Sequence, residues 1–444
     1  MADNLTHGLA AALLAQTGFQ QRYGPAATVA LVVGAELPDL DFLFALGGPV
    51  LSFVHHRGMT HSLFGGACLA LVGALVLWGL LRECPYWRLV LWTYLGVVLH
   101  IGMDYLTSYG TQVFWPFAAG HYTADAVFIL DYFYTGLMVV ALLLIRMVRQ
   151  QRQRPYGRRS LVGIGVGSVL WASAPLLTTH PGWLLAGGTG LLVTGLVVRL
   201  GRHQPPSRSR LVSLIGIGLG LGIVLWRMTG ALANNPALRL LALQSGGLHL
   251  VFFAGVLGLG AWCGRRWEGV RPTVGLGCCG VAAVMGYIGL CLVSKMVAQH
   301  LFVGALGPQR ATVERLATLP LPGWGPVQWQ GIAVTHSSYL VSRVTLVPPL
   351  VTPPDVIAKG PDTPLVRALR ASRLVHLFLD RARFPVVEAF ERDGAPMVRY
   401  VDLRTAGDGR PRTRWGLVVR LDAAGHVQAV EFLNRVFLPT SPDF

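Results

Sequence analysis

Apolar runs of 16 to 20 residues recur from the N-terminus to about residue 293, and this repetition limits the fold more than any single motif does. About 20 apolar residues, wound as a helix, cross the roughly 30 Å hydrocarbon core of a bilayer. Ten such segments can be drawn: 5–19, 26–46, 62–81, 88–106, 127–145, 160–178, 182–200, 211–229, 246–263 and 273–293. Composition agrees, because only 13% of the 444 residues are charged, against roughly 25% in soluble domains. The sequence therefore predicts an all-α polytopic membrane protein with a small C-terminal extramembrane α+β domain. No Lys or Arg precedes Arg22, so a cleaved signal peptide with a basic n-region is not expected. Pro38 should break the second segment, since proline removes a backbone donor and clashes with the preceding turn. The glycine-rich run "GIGLGLG" at 216–222 reads as close helix packing in an apolar helix.

The arginines set an orientation. "RMVRQQRQRPYGRR" (146–159), "RLGRHQPPSRSR" (199–210) and "RRWEGVR" (265–271) hold six, four and three of them. Basic residues accumulate in cytoplasmic loops, and two segments separate each of these loops from the next. Counting back, loops 20–25 and 82–87 are cytoplasmic, whereas loops 47–61 and 107–126 and both termini face outward. The expected location is a bacterial cytoplasmic membrane, crossed several times.

Charge also divides the chain. Residues 1–131 carry eight acidic and four basic residues and six of the thirteen histidines. Residues 132–300 carry sixteen basic residues and one acid, and residues 301–444 carry seventeen basic and twelve acidic. The formal charge of +16 is thus a topology signal with attraction for anionic lipid, not a nucleic-acid signature. Three regions follow: a membrane-embedded site domain (1–145), further transmembrane helices (146–299), and a C-terminal extracytoplasmic α+β domain (300–444).

Within the first region the polar residues fall in five places. These are His7; Glu36, Asp39 and Asp41; the stretch "HHRGMTHS" with His55, His56, Arg57, Thr60, His61 and Ser62; His100 and Asp104; and Asp125 and Asp131. His100 and Asp104 lie four apart, on one helix face. Every group sits at the outward end of its segment. Ionisable residues at membrane depth are costly and usually functional. Imidazole and carboxylate together suit zinc, manganese or iron, and a divalent ion lowers the pKa of a coordinated water towards ~7. Arg57 could clamp a phosphate through its planar fork. Each group also has a structural reading: a helix start for His7 or Asp39 and Asp41, a buried pair for His100 and Asp104. Their convergence favours a site.

The runs "LPDLD", "HRGMTHS" and "HIGMDYLTSYGT", with the early His7, resemble the YdjM-like family of membrane-bound proteins assigned as metal-dependent hydrolases. That family is grouped with zinc-dependent phospholipases C and single-strand-specific nucleases. The resemblance covers residues 4–145. It implies metal-binding or catalytic roles for His7, Asp39, Asp41, His56, His61, His100, Asp104 and Asp131. Metal ligation is expected of His7, Asp39, His56, His61, His100, Asp104 and Asp131, and catalytic roles of Arg57, Asp41 and Asp104. The free amino-terminal tryptophan of the soluble enzymes is missing, so one or two ions, zinc ahead of manganese or iron, fit better than three.

Other hydrolase signatures are absent, including H-E-x-x-H. The six cysteines have no zinc spacing and read as small core residues. From about residue 300 the pattern predicts paired strands over "VQWQGIAVTHSSYLVSRVTLV", a helix over "PLVRALRASRLVHLFLDRAR", and strands from Pro396 to Leu433. His336, Ser337, Asp380 and His426 have no spacing that supports a triad. Two functions follow. The first is an integral-membrane metallohydrolase acting on phosphoester bonds of a lipid or lipid-linked substrate at the outer leaflet. The second is a non-catalytic protein that transports or senses divalent metal. Polar residues confined to one end favour the enzyme, because a transporter should place them in helices throughout its length or in two related halves.

Overall fold

The computed structural model describes residues 4–47, 55–118, 120–129, 131–153, 272–321, 325–370, 372–392, 394–405, 416–422 and 426–433. Segments 160–178, 182–200, 211–229 and 246–263 lie outside the described residues.

Helix α1 (Asn4–Leu14) runs into a π turn (Ala15–Phe19) kinked at Gly18 and a short α2 (Gln20–Tyr23). Gly24 takes φ +78°, and Pro25 opens α3 (Pro25–Glu36). There α3 stops ahead of Pro38, as the proline demands, and the chain continues as 3-10 turns over Pro38–Gly47. A second 3-10 turn (Met59–His61) leads into α4 (Leu63–Leu80), α5 (Tyr86–Leu106) and α6 (Tyr132–Gln153). The last helix of this part, α7, spans Pro272–Ala305. Among the described residues three helices are long and apolar enough to cross a membrane: Leu63–Leu80, Tyr86–Leu106 and Thr273–Ala305. Pro25–Glu36 and Phe133–Arg146 are shorter apolar helices.

Small residues set how closely these helices approach. A Cβ on Gly34 would strike the Thr93 carbonyl, and one on Gly96 would strike that of Leu31. The α3 and α5 backbones therefore touch, the close approach that small residues permit. Ala11, Ala27, Ala30, Leu31 and Trp92 form the adjoining core.

With 34 residues, α7 is about 51 Å long at 1.5 Å per residue, well beyond what a bilayer requires. Its final turns pass the expected boundary at residue 299 without interruption and become part of the C-terminal core. Ala298, Phe302 and Leu306 pack on Trp329, Ala333, Leu340 and Val344. Gly331 makes room, since a Cβ there would strike the Phe302 ring.

The C-terminal region holds two antiparallel sheets. The first contains β1 (Arg315–Pro320), β2 (Gln328–Val334), β3 (Ser338–Leu346), β4 (Pro349–Val351) and β5 (Asp355–Ala358); its order is β1-β2-β3-β4, with β5 also paired to β3. The second is a meander of β6 (Pro385–Arg392), β7 (Ala395–Asp402), β8 (Gly416–Leu421) and β9 (Val427–Leu433). Alternation of side chains sorts the layers. Trp329 and Ala333 face α7, whereas Ile332 and Val334 meet Phe384, Val386 and Val401 of the second sheet. On the far face Val398 and Tyr400 pack on Val366 and Phe378, from α8 (Pro364–Arg370) and α9 (Arg373–Arg381). The sequence "PLVRALRASRLVHLFLDRAR" is thus two helices rather than one. His336 lies near Glu314, Asp380 near His376 and His426 near Asp422, so they assemble no triad with Ser337.

Candidate metal centre

Alternating chain direction gathers the polar residues at one end of the helices: His7 near the start of α1, Asp39 and Asp41 past the end of α3, His61 ahead of α4, His100 and Asp104 in the last turns of α5. The turn after Pro38 keeps Asp39 and Asp41 buried. The "HHRGMTHS" stretch is held as a compact loop. Ser62 caps α4 by accepting from the Gly65 N–H at 2.9 Å, the usual service of serine at that position. Thr111 Oγ1 donates to the His61 carbonyl at 2.8 Å.

His61 is fully buried and stands between carboxylates on both sides. Its Nδ1 lies 3.2 Å from Asp41 Oδ2. Its Nε2 lies 3.3 Å from Asp39 Oδ1 and 3.4 Å from Asp104 Oδ2. Burial would lower its pKa, but the Asp39, Asp41 and Asp104 carboxylates outweigh that and raise it to about 9. His100 presents Nε2 to the same two oxygens, at 3.7 and 3.6 Å, while its Nδ1 hydrogen-bonds the Ala35 carbonyl at 2.6 Å. His7 stacks on His100, ring centroids 3.8 Å apart, with Nε2 3.6 Å from Asp104 Oδ1. His56 Nδ1 lies 2.9 Å from Asp41 Oδ1.

Three overlapping triads have ligand atoms within 4.8 Å of one another: His7, Asp39 and His100; Asp39, His56 and His61; His61, His100 and Asp104. The donor set tests the fit of a metal. His100 Nε2 and Asp104 Oδ2 are buried with no hydrogen-bond partner, although native proteins satisfy nearly all buried polar atoms. A divalent ion between them would satisfy both. The Ala35 carbonyl accepts from His100 Nδ1 and so turns Nε2 towards the carboxylates, the orientation that backbone acceptors give metal-binding histidines. Nitrogen and carboxylate donors suit zinc, manganese or iron.

Asp41 is spent on orientation, since its oxygens also accept from the Arg57 N–H at 3.1 Å and Thr60 Oγ1 at 3.0 Å. Arg57 is buried and donates through Nη2 to Asp104 Oδ1 at 2.7 Å and through Nη1 to Thr107 Oγ1 at 3.0 Å. Its φ of +59° is the left-handed region, which costs a non-glycine residue of order 1 kcal/mol.

Asp131 falls outside the three triads. Its Oδ1 accepts from the Phe133 and Tyr134 N–H groups, both at 3.0 Å, capping α6, and Oδ2 accepts from the Tyr287 hydroxyl at 2.8 Å. A cavity of about 30 Å³ lies among Asp131, His7 and Asp104. Asp125 is held by Arg383 at 2.6 Å. Exposed His55 lies against Phe44, the rings tilted with centroids 4.5 Å apart, and Glu36 packs on Gly8.

Sequence reasoning missed three arginines. Arg381 Nη1 donates to the His56 carbonyl at 2.9 Å, Arg404 Nη1 to the Ser108 and Tyr109 carbonyls, both at 3.3 Å, and Arg383 forks onto Asp125. It also passed over His121, whose pKa falls to about 4 through burial and the nearby Arg381, Arg404 and Arg57.

The fold and cluster define a membrane protein with a buried His/Asp centre able to hold a metal ion. Residues 1–178 are similar to the family model described as YdjM inner membrane protein. The uncharacterized protein YfhP of Bacillus subtilis (strain 168) is 32% identical over 93 residues, 21% of this chain and 28% of that protein. The match thus spans less than a third of that relative's length. No solved structure matches.

Proposed function

We propose that this protein is an integral-membrane metal-dependent hydrolase that cleaves a phosphoester bond in a lipid or lipid-linked substrate. The observation that carries the reading is the pair His100 Nε2 and Asp104 Oδ2, buried without a hydrogen-bond partner beside Asp39 and His61. His7, Asp39, His56, His61, His100 and Asp104 would hold one or two ions, zinc first. A bound ion supplies Lewis-acid chemistry, activating water and polarising a phosphoryl oxygen. Asp41 orients His56 and His61. Arg57 holds Asp104 and offsets its charge. Asp104, with Oδ1 anchored to Arg57 and Oδ2 turned inward, would be a ligand of the ion. In the net reaction water adds to phosphorus, the P–O bond to the lipid breaks, and the proton lost by the water ends on the leaving oxygen, which departs as the alcohol.

A lipid substrate is favoured by the surroundings. Leu43, Met59, Phe64, Phe114 and Phe117 are exposed, and the Phe64 and Phe117 rings meet at 6.1 Å. Exposed apolar side chains near a polar centre mark contact with membrane or acyl chains. The site faces outward in this reading. Asp131 begins α6 at the site end, whereas Arg146 and Arg149 lie near its other end, and Arg149 bonds Gln16 at 2.8 Å. Basic residues favour the cytoplasmic side.

The test is metal analysis of native preparations of wild type and His61→Ala, paired with a screen of phospholipid and isoprenoid-phosphate substrates. Metal in wild type, its loss in His61→Ala and hydrolysis by wild type alone are expected. Bound metal without hydrolysis of any phosphoester would shift the reading to metal transport or sensing. Equal metal content in the two proteins would end the ligand assignment.

A further inference from the structure

Two non-glycine residues among those described take a left-handed backbone, Arg57 at φ +59° and Asp125 at φ +49°. An arginine of the C-terminal region holds each. Arg381, which ends α9, donates from Nη1 to the His56 carbonyl at 2.9 Å, across 325 positions of sequence. That carbonyl belongs to the peptide joining His56 to Arg57, whose N–H donates to Asp41 Oδ2 at 3.1 Å. The peptide is thus pinned on both edges. Both of its residues serve the centre: the His56 ring belongs to one ligand triad, and the Arg57 guanidinium fixes Asp104 of another. Rotation of this one peptide would swing both side chains.

The second clamp is bidentate. Arg383 Nη1 and Nη2 donate to Asp125 Oδ1 and Oδ2 at 2.6 and 3.0 Å, and Nη1 also reaches the Ser108 carbonyl at 3.3 Å. Arg404 secures the first clamp from behind. It is fixed by Asp402 through Nε at 2.7 Å, and its Nη2 donates to the Arg381 carbonyl at 2.8 Å.

We infer that Arg381 is a positioning residue of the metal centre, supplied by the C-terminal domain, and that this domain sets the geometry in which His56 and Asp104 meet an ion. The inference rests on the metal-site reading above and extends it beyond residue 178, where the family match ends. The domain does more than cover the site. Without the Arg381 bond only the Asp41 bond on its N–H edge holds the His56–Arg57 peptide in its strained conformation, and ligand preorganisation weakens.

The test uses the full chain in detergent or nanodiscs. Zinc affinity is measured by competition with a chromophoric chelator, and the visible spectrum of the cobalt-substituted protein reports ligand geometry. Arg381→Ala should weaken zinc binding by about tenfold or more, the loss typical when a group supporting a metal ligand is removed, and should alter the cobalt spectrum. Arg381→Lys should recover part of both. Arg399→Ala, which removes an ion pair to Glu388 within the second sheet, should change neither. Hydrogen exchange of peptide 55–62 in metal-free protein reads the clamp independently and should rise in Arg381→Ala alone. Wild-type affinity and spectrum in Arg381→Ala would overturn the inference, as would equal losses in Arg381→Ala and Arg399→Ala. If wild type binds no zinc or cobalt, the metal reading fails while exchange still judges the clamp; unchanged exchange in Arg381→Ala then overturns it too.

Discussion

His100 holds its Nδ1 2.6 Å from the Ala35 carbonyl oxygen, so one backbone atom of α3 decides which nitrogen of an α5 imidazole faces the centre. That bond depends on the close approach of the two helices at Gly34 and Gly96. Gly96→Ala should push them apart, costing about 1–3 kcal/mol through overpacking and lowering bound metal as His100 loses its anchor. Melting temperature and metal content of the purified variant check this together. A variant that melts and loads like wild type would detach the anchor from the helix contact.

Asp131 separates ligand from cap. Asp131→Asn keeps an oxygen acceptor for the first turn of α6, and Asp131→Ala removes it at a cost of about 1 kcal/mol. Both should retain wild-type metal content, since Asp131 spends its oxygens on two backbone N–H groups and Tyr287. Loss of metal from the asparagine variant at unchanged melting temperature would make Asp131 a ligand.

Metal affinity should climb with pH. In the metal-free protein burial alone would lower the His61 pKa, but the surrounding carboxylates raise it to about 9. An ion at Nε2 leaves the ring one proton where the free imidazolium has two. Between pH 6 and pH 9 binding should release about one proton per His61, and affinity should rise by up to ~tenfold per pH unit, flattening above the raised pKa. Titration calorimetry in buffers of different ionisation enthalpy counts the proton. Affinity that stays level across that range would take His61 out of the ligand set.

Orientation is open to a direct check. A reporter active only in the cytoplasm should work when fused after residue 155 and stay silent after residue 330. The reverse pattern would place the centre and the C-terminal domain on the cytoplasmic side.

The site was legible wherever its chemistry is local. Histidines and aspartates stand out against apolar surroundings, Pro38 announces the break after α3, and the i, i+4 spacing of His100 and Asp104 survives as a pair at 3.6 Å. Asp131 resembled the others in type and level, and only its distances to Phe133, Tyr134 and Tyr287 tell cap from ligand. Arg381, Arg383 and Arg404 left no signal, because nothing in a surface-like arginine of a mixed domain reveals which loop, some 260 to 325 positions earlier, it reaches. The strands show a similar limit. β2 is buried along its whole length, since α7 covers one face and the second sheet the other, so Gln328 and Gln330 sit inside where alternation predicts an exposed face. β1, β4, β5 and β6 were missed altogether.

One consequence of the unbroken α7 concerns insertions and deletions. Tyr287 ties it to Asp131, Lys295 to the Ala124 carbonyl, and Phe302 to the first sheet. All three sit on one rigid screw, each residue of which advances 1.5 Å and turns about 100°. Adding a single residue between Lys295 and Phe302 would rotate the sheet region by roughly a quarter turn and carry Arg381 and Arg383 away from the loops they grip. Seven added residues would nearly restore the angle but lift the arginines about 10 Å, beyond reach. Residue count along this stretch is therefore a gauge fixed by the distance between two loops, and a substitution there is a far smaller change than a single-codon shift in length.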